Sequence, residues 1–144
     1  MPEHVLVPVD DSDQSTEALE FACREYPDTK ITALHVLDPR GFYGVANIQE
    51  SAETNYEALE TRNKERAEEL LEEAREQAAA LDREIETEHA VGVVADSIVE
   101  YAADHDVDHI TIGSHGRTGA SRILLGSVAE TVARRSPVPV AIVR

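Results

Sequence analysis

The sequence predicts a single α/β domain, built as an open sheet of five parallel strands with helices on both faces. The first observation is a series of short apolar runs rich in valine and isoleucine, beginning with Val5 to Val9. The second is that segments with helical spacing of apolar residues alternate with these runs. The third is size, because 144 residues without an internal repeat or linker fit one domain. The predicted domain spans residues 1–144.

In the first half of the chain, the spacing of apolar residues predicts two strands and two helices. Pro8 suggests an irregular end to the first strand, since proline cannot donate to a sheet ladder. Asp10 to Asp13 is rich in residues that turn the chain or cap a helix. Residues 42–51 show no period and are interpreted as a loop. The four elements are strand one Val5–Val9, helix one Gln14–Arg24, strand two Ile31–Leu37 and a long helix Ala52–Leu81.

In the second half, the same reasoning predicts three strands and two helices. The third strand alternates polar and apolar residues, which fits an edge strand with one wet face. Ser97 with Glu100, and Ser127 with Glu130, have the spacing of a capping box, so each serine is predicted to cap a helix. The five elements are strand three Ile85–Val91, helix three Asp96–Asp104, strand four Asp108–Ile112, helix four Val128–Arg135 and strand five Val138–Val143.

This alternation is typical of a doubly wound, flavodoxin-like or Rossmann-like sheet with the strand order 3-2-1-4-5. Ligands of such sheets bind at the carboxyl ends of the strands, where the strand order reverses. Strands one and four flank that point. Asp10 and Gly113 follow these two strands, so we expect them to converge on one cleft although 100 residues separate them.

The composition is that of an acidic chain. Asp and Glu number 29 against 13 Lys and Arg, which gives a net charge of −16. Such a surface repels nucleic acid and anionic membranes, so neither is expected as a partner. No segment approaches the roughly 18 apolar residues of a membrane span, and no signal peptide is read. Cys23 is the only cysteine, which favours a reducing, cytoplasmic location.

The scarcity of lysine, with only Lys30 and Lys64, suggests an adaptation to salt. We interpret the acidic surface as halophilic, because the ions of a salt-rich cytoplasm screen the repulsion between carboxylates. The protein should therefore melt at a higher temperature in molar KCl than in dilute buffer. Equal melting temperatures in the two solutions would contradict this interpretation.

One stretch combines glycines with the start of a helix. Gly113 ends strand four, Gly116 permits a sharp turn, and Gly126 and Ser127 precede helix four. The first N–H groups of a helix are unpaired and carry partial positive charge, so an anion can bind there. The order of strand, glycine loop and helix therefore predicts a phosphate-binding site.

The spacing Gly113-x2-Gly116-x9-Gly126-Ser127 resembles the ATP-binding signature of the universal stress protein family. Residues 5–10 resemble the opening strand of that family, residues 34–36 its second strand and residues 137–140 its closing strand. The resemblance therefore covers essentially the whole chain. It implies a nucleotide-binding regulatory protein of the stress response.

The resemblance also implies a pocket for ATP, with Mg²⁺ or Mn²⁺ bridging phosphate oxygens. The end of strand one would lie near ribose and adenine, the backbone of Val36 would read the adenine edge, and the glycine loop would hold the phosphates. Asp11 stands where the family commonly has glycine, so its role stays open, as do protein ligands of the metal. The implied site residues are Pro8, Val9, Asp10, Val36, Ile112, Gly113, His115, Gly116, Arg117, Gly126, Ser127 and Val128.

Strand five is expected to join two subunits. In the order 3-2-1-4-5 it lies at an edge of the sheet, and Pro137 and Pro139 blunt that edge only partly. Two copies can pair antiparallel about a two-fold axis, and the family resemblance implies the same arrangement. We therefore expect a homodimer through residues 138–143.

Two classes of function remain open, a protein that binds ATP with little turnover and a slow ATPase or self-phosphorylating enzyme. Binding is favoured because no lysine, and no general base beyond Asp10 and Asp11, is placed to drive phosphoryl transfer. A dimeric adaptor with an empty pocket is disfavoured by the complete glycine motif.

The acidic pair Asp10 and Asp11 also resembles that of response regulators, but Val91 precedes glycine where their acceptor aspartate would stand. His105 and His109 have a spacing seen in metal sites, but a solvated turn is preferred.

Overall fold

The computed structural model describes residues 2–39, 52–114 and 125–144. Over residues 52–60 it describes the backbone alone. The strands form one parallel sheet in the order β3-β2-β1-β4-β5, which confirms the predicted topology. The elements are β1 His4–Pro8, α1 Asp13–Glu25, β2 Lys30–Leu37, α2 Ala52–Ala80, β3 Glu86–Val91, α3 Val94–Asp104, β4 His109–Gly113, α4 Ser127–Arg135 and β5 Val140–Val143.

The sheet separates two hydrophobic cores because its central strands are apolar on both sides. On one side, α1 and α2 pack over Val5, Val7 and Ala33. On the other side, α3 and α4 pack over Leu6, Leu34 and neighbouring residues of β4. Within the described ranges, no helix is long and apolar enough to cross a membrane.

The two predicted serine caps are wrong. α3 begins at Val94, three residues before Ser97, and no side chain caps it. Gly92 turns the chain there with a φ of 154°, which residues with a Cβ rarely adopt, and the helix therefore starts before the serine. At α4 the N-cap is Gly126, so Ser127 is the first helical residue and its hydroxyl does not cap the helix.

Strand five is shorter than predicted and begins at Val140 instead of Val138. Prolines at 137 and 139 have no N–H for a ladder. The Val138 N–H donates to Ser136 Oγ at 3.1 Å, so it is used in a local turn and not in the sheet. The sheet pairing therefore resumes only after Pro139, whose carbonyl accepts from the Ile110 N–H at 3.0 Å.

Arg83 connects the segment after α2 to the end of α1. Its Nη1 donates to the carbonyls of Cys23 at 2.6 Å and Tyr26 at 3.0 Å, and its Nη2 donates to the Thr29 carbonyl at 2.7 Å. The last carbonyls of a helix have no partner inside the helix. One guanidinium therefore satisfies carbonyls at the carboxyl end of α1 and in the turn that follows.

His4 lies at the opposite edge of the sheet from the predicted cleft. It is 7% exposed, and its Nε2 lies 2.8 Å from Thr32 Oγ1. Burial lowers the pKa of His4 from 6.5, and the nearby Lys30 lowers it further. The His105 backbone and the carboxylates of Glu86 and Asp108 act in the opposite direction but do not outweigh the burial.

This lowered pKa predicts that stability falls in mild acid. As the pH drops below about 6.5, the unfolded chain takes up a proton at His4 before the folded chain does, so protonation favours unfolding. Urea unfolding at pH 7.5 and 5.5 should show a loss of stability that is smaller in His4→Gln. The exposed His89→Gln variant serves as the control and should keep the full loss. Equal losses in His4→Gln and the parent would contradict the assignment.

Thr32 and Thr111 form a natural comparison, because both are fully buried in central strands. The Thr32 hydroxyl has a partner in His4, whereas Thr111 Oγ1 has no hydrogen-bond partner among the described residues. A buried polar group without a partner costs free energy. Thr111→Val should therefore raise the free energy of unfolding by about 1 kcal/mol, while Thr32→Val should lower it by a similar amount. Denaturant unfolding of both variants measures this, and destabilisation in Thr111→Val would contradict it.

Candidate functional site

The predicted site residues that the structure describes lie along the carboxyl edge of the sheet, where β1, β2 and β4 end, or on the first turn of α4. The Val9 N–H donates to the Leu34 carbonyl at 2.9 Å and fixes the end of β1 against β2. The Gly126 N–H donates to the Ser114 carbonyl at 2.7 Å and fixes the start of α4 against the end of β4. Residues far apart in the sequence therefore meet at this edge.

The ladder between β1 and β4 ends before Pro8. The His4 carbonyl accepts from the Asp108 N–H at 3.0 Å, so even-numbered peptide groups of β1 face β4. Pro8 is on that side and has no N–H to donate. The register pairs of the two strands end at Leu6 with Ile110, although β1 continues to Pro8. The crevice expected at the reversal of strand order therefore begins at this proline.

The loop after β1 is held together by Asp10. Asp10 Oδ1 accepts from the Ser12 N–H at 2.8 Å and also from the Ser12 hydroxyl. The Asp10 N–H donates to Ser15 Oγ at 2.9 Å, and Ser12 Oγ accepts from the Ser15 N–H at 3.1 Å as the N-cap of α1. The carboxylate therefore shapes the loop and positions the first turn of α1.

Gly113 is required by packing against a helix. A Cβ placed on it would lie 2.8 Å from the backbone carbon and oxygen of Gln14 and from its Cβ. The absence of a side chain therefore lets the first turn of α1 approach the end of β4. Packing against α1 is therefore a structural reason for a glycine at this position.

The start of α4 offers peptide N–H groups at the same edge. The N-cap Gly126 has a φ of −65° and a ψ of 153°, and as a glycine it offers no capping side chain. The Glu130 N–H is paired with the Gly126 carbonyl at 2.9 Å, which leaves the preceding N–H groups of the first turn outside the helical pattern. Such groups favour a bound anion.

Val9 lies beside His35, the residue before Val36, where β1 and β2 end. Val36 is 8% exposed, and the Val9 carbonyl lies 2.8 Å from Nδ1 of His35. A carbonyl can only accept, so Nδ1 must carry the hydrogen. The histidine ring thus contacts the backbone of a predicted site residue.

Three predicted site residues, His115, Gly116 and Arg117, lie outside the described residues. The other predicted residues are at the carboxyl edge or on the first turn of α4. No group of three His, Cys, Asp or Glu side chains in the described ranges is arranged to hold a metal. His105 stacks on Tyr101 with ring centroids 3.8 Å apart, and Nε2 of His109 lies 3.0 Å from the Tyr26 hydroxyl.

Sequence reasoning missed Ser15 and His35 as parts of this edge. The N-cap Ser12 falls within residues 10–13, which the sequence indicated as a stretch that turns the chain or caps a helix. The position of Ser15 one turn later gave no such signal. The contact of His35 depends on the distance between two strands, which the sequence does not contain.

The chain is similar to known proteins along its whole length, and the universal stress protein family model matches residues 1–144. Universal stress protein MJ0531 of Methanocaldococcus jannaschii is 36% identical over 143 residues, which cover 97% of this chain and 81% of the relative. Universal stress protein MJ0577 of the same organism is 31% identical over 155 residues, covering 100% and 96%.

Solved structures share the fold. The structure of MJ0577 has a TM-score of 0.80 at 29% identity and covers 98% of this chain and 94% of its own. A universal stress protein solved in complex with cAMP has a TM-score of 0.71 at 27% identity, with coverage of 99% and 97%. Family model, relatives and structures agree over the same residues, and the chain therefore belongs to the universal stress protein family.

Proposed function

We propose that this protein binds an adenine nucleotide at the carboxyl edge of the sheet, between β1 and β4 and next to the first turn of α4. The observation that carries the proposal is the meeting of the end of the β1–β4 ladder with the start of a helix whose N-cap is a glycine without a capping side chain. The cAMP complex of a relative at 27% identity supports the same class of ligand. ATP with Mg²⁺ or Mn²⁺ is the proposed cellular form.

The parts of the nucleotide are assigned by position along this edge. The base would lie against the ends of β1 and β2, with the backbone of Val36 as its hydrogen-bonding partner. The ribose would lie over the end of β4. The phosphate oxygens would accept hydrogen bonds from the N–H groups of the glycine loop and of the start of α4. The proposed residues are Pro8, Val9, Asp10, Val36, Ile112, Gly113, His115, Gly116, Arg117, Gly126, Ser127 and Val128.

The metal would arrive with the nucleotide. Since the described residues contain no cluster of three metal-ligating side chains, phosphate oxygens would supply most ligands of the ion. Bound there, the ion would neutralise phosphate charge. The start of α4 supplies only part of that countercharge, because a helix end carries about half an elementary charge.

Little or no turnover is proposed, because the residue best placed to act as a base is already in use. Asp10 Oδ1 accepts two hydrogen bonds from Ser12, which hold the carboxylate in the loop. We propose a regulatory protein of the stress response that acts in the cytoplasm as a homodimer. The acidic surface is proposed to suit a salt-rich solution.

Isothermal titration calorimetry with ATP, ADP and AMP, each with and without MgCl₂, tests the proposal. Gly116→Val should abolish binding, because a branched side chain resists the turn predicted there and fills the space of the phosphates. The melting temperature of each variant controls for folding. Full affinity in a folded Gly116→Val protein would contradict the phosphate assignment, and no binding by the parent would overturn the function.

The same protein with MgATP should release phosphate far more slowly than an ordinary enzyme, which turns over about 10 times per second. Mass spectrometry after incubation with ATP should find no added phosphoryl group. A rate near that of an ordinary enzyme that is lost in Asp10→Asn, or a phosphorylated chain, would favour the enzymatic alternative.

A further inference from the structure

The hydrogen-bond ladder between β1 and β2 is altered at its last step. The Val9 N–H continues the ladder by donating to the Leu34 carbonyl at 2.9 Å. In a regular parallel ladder, the next bond would run from the Val36 N–H to the Val9 carbonyl. That carbonyl instead has Nδ1 of His35 at 2.8 Å. A side chain therefore stands where a backbone donor is expected.

The Val36 N–H faces β1, the strand that Val9 follows in the chain. Peptide groups of β2 face β1 at every second residue, as shown by the Lys30 N–H, which donates to the Glu3 carbonyl at 3.1 Å, and by the Leu34 carbonyl. Val36 follows in this series and faces the position where β1 has ended and the chain turns into the loop. In the described part of the chain, no backbone hydrogen bond joins Val36 N–H to Val9.

This arrangement leaves a donor in a place that suits a ligand. Val36 is 8% exposed, and a backbone N–H in such surroundings is expected to find a partner. The adjacent Val36 carbonyl faces the same side of the strand. Together they present one donor and one acceptor at the carboxyl edge, in the pattern that complements a ring nitrogen beside an amino group.

We propose that His35 is a positioning residue that sets the base specificity of the site. Its Nδ1–H donates to the Val9 carbonyl, so the Val36 N–H remains available to donate to a ring nitrogen of the base. This inference rests on the proposed function, because it specifies how the nucleotide is selected. Adenine fits, since its N1 accepts and its amino group donates. Hypoxanthine does not fit, because its N1 carries a hydrogen and would face the Val36 N–H.

Replacing the His35 imidazole with an apolar side chain should allow the missing hydrogen bond of the β1–β2 ladder to form. Without a donor at position 35, the Val9 carbonyl is left unsatisfied, and the nearest donor along the strand is the Val36 N–H. Pairing these two groups adds one step to the ladder and withdraws the donor from the base. The end of β4 and the start of α4 are untouched, so the phosphate contacts should persist.

Calorimetry with AMP and IMP on the parent, His35→Leu and His35→Asn tests this. The parent should prefer AMP over IMP by about tenfold or more. His35→Leu should lose about tenfold in AMP affinity and keep its IMP affinity, so the preference disappears. His35→Asn should retain the preference, because its side-chain amide nitrogen can replace Nδ1. Hydrogen exchange at the Val36 amide, measured without ligand, should be slower in His35→Leu than in the parent.

The outcomes separate the inference from the function on which it rests. If the parent binds AMP and His35→Leu shows the same AMP-to-IMP ratio, the inference is wrong and the nucleotide function stands. If the parent binds neither nucleotide, both fail. Should His35→Leu not fold, nitrogen NMR of the parent imidazole decides, because the Nδ1–H tautomer supports the inference and the Nε2–H tautomer overturns it.

Discussion

Replacing Gly113 with valine is expected to destabilise the protein by about 3 kcal/mol. The new Cβ would lie 2.8 Å from the backbone carbon and oxygen of Gln14. The obstacle is helix backbone, so relief requires α1 to move away from β4. The N-cap Ser12 belongs to the same first turn. Thermal unfolding should show a drop of roughly 10 °C in melting temperature.

Two variants make this experiment specific. Gly113→Ala adds only the Cβ and should already cause most of the loss, since that atom meets Gln14. Ile112→Val serves as the control, because it lies next in the strand, contributes to the core on the other face and should cost about 1 kcal/mol. A Gly113→Ala protein that melts within a degree of the parent would show that α1 does not need this close approach.

Ile142→Asp is expected to convert the proposed dimer, of about twice 15.8 kDa, into a monomer. β5 is an edge strand, and Ile142 is 37% exposed on it. The carbonyls of Pro139 and Val143 face β4, where they accept from Ile110 and Ser114, so the peptide groups of Val140 and Ile142 face outward. An antiparallel copy would pair with these groups, and a carboxylate in that contact would lose its water without a partner.

Light scattering in high salt at micromolar concentration measures the mass. Val91→Asp serves as the control, because Val91 is 62% exposed on β3, the opposite edge strand, and its replacement should leave the dimer intact. Ile142→Pro is a second test, since it removes an outward N–H while the β4 side of the strand keeps its donors. A parent mass of one chain would contradict the proposed dimer.

Most of the fold could be predicted because parallel strands leave a clear pattern. The apolar run at the start of β1 and the alternation in β3 distinguished a central strand from an edge strand, and both placements are confirmed. The errors lie at element ends. There, Gly92 and Gly126 precede the starts of two helices, and Pro139 precedes the start of β5. Backbone geometry decides these starts more than the pattern of side chains does.

The sequence predicted which edge of the sheet carries the candidate site, but not the hydrogen bonds that its residues make. Topology alone brings Asp10 to the same edge as the end of β4, as expected from a doubly wound sheet. The bond of Asp10 to Ser12 depends on the path of one loop, and the contact of His35 with Val9 depends on the distance between two chain segments. A periodic pattern does not contain such distances, and resemblance to a family identifies residues without giving their partners.

Arg83 gives the acidic chain a cross-connection that dissolved salt should hardly weaken. The ion pairs described on exposed helix faces, such as Arg24 with Glu20 and Arg66 with Glu69, join opposite charges in water, where counterions compete for both members. The Arg83 guanidinium instead bonds to uncharged carbonyls of residues 54 to 60 positions away in sequence. Ions that screen carboxylates from one another have no net charge to screen on the accepting side of these bonds. The same ionic strength that relieves repulsion across the surface therefore leaves the attachment of α1 to the segment after α2 in place.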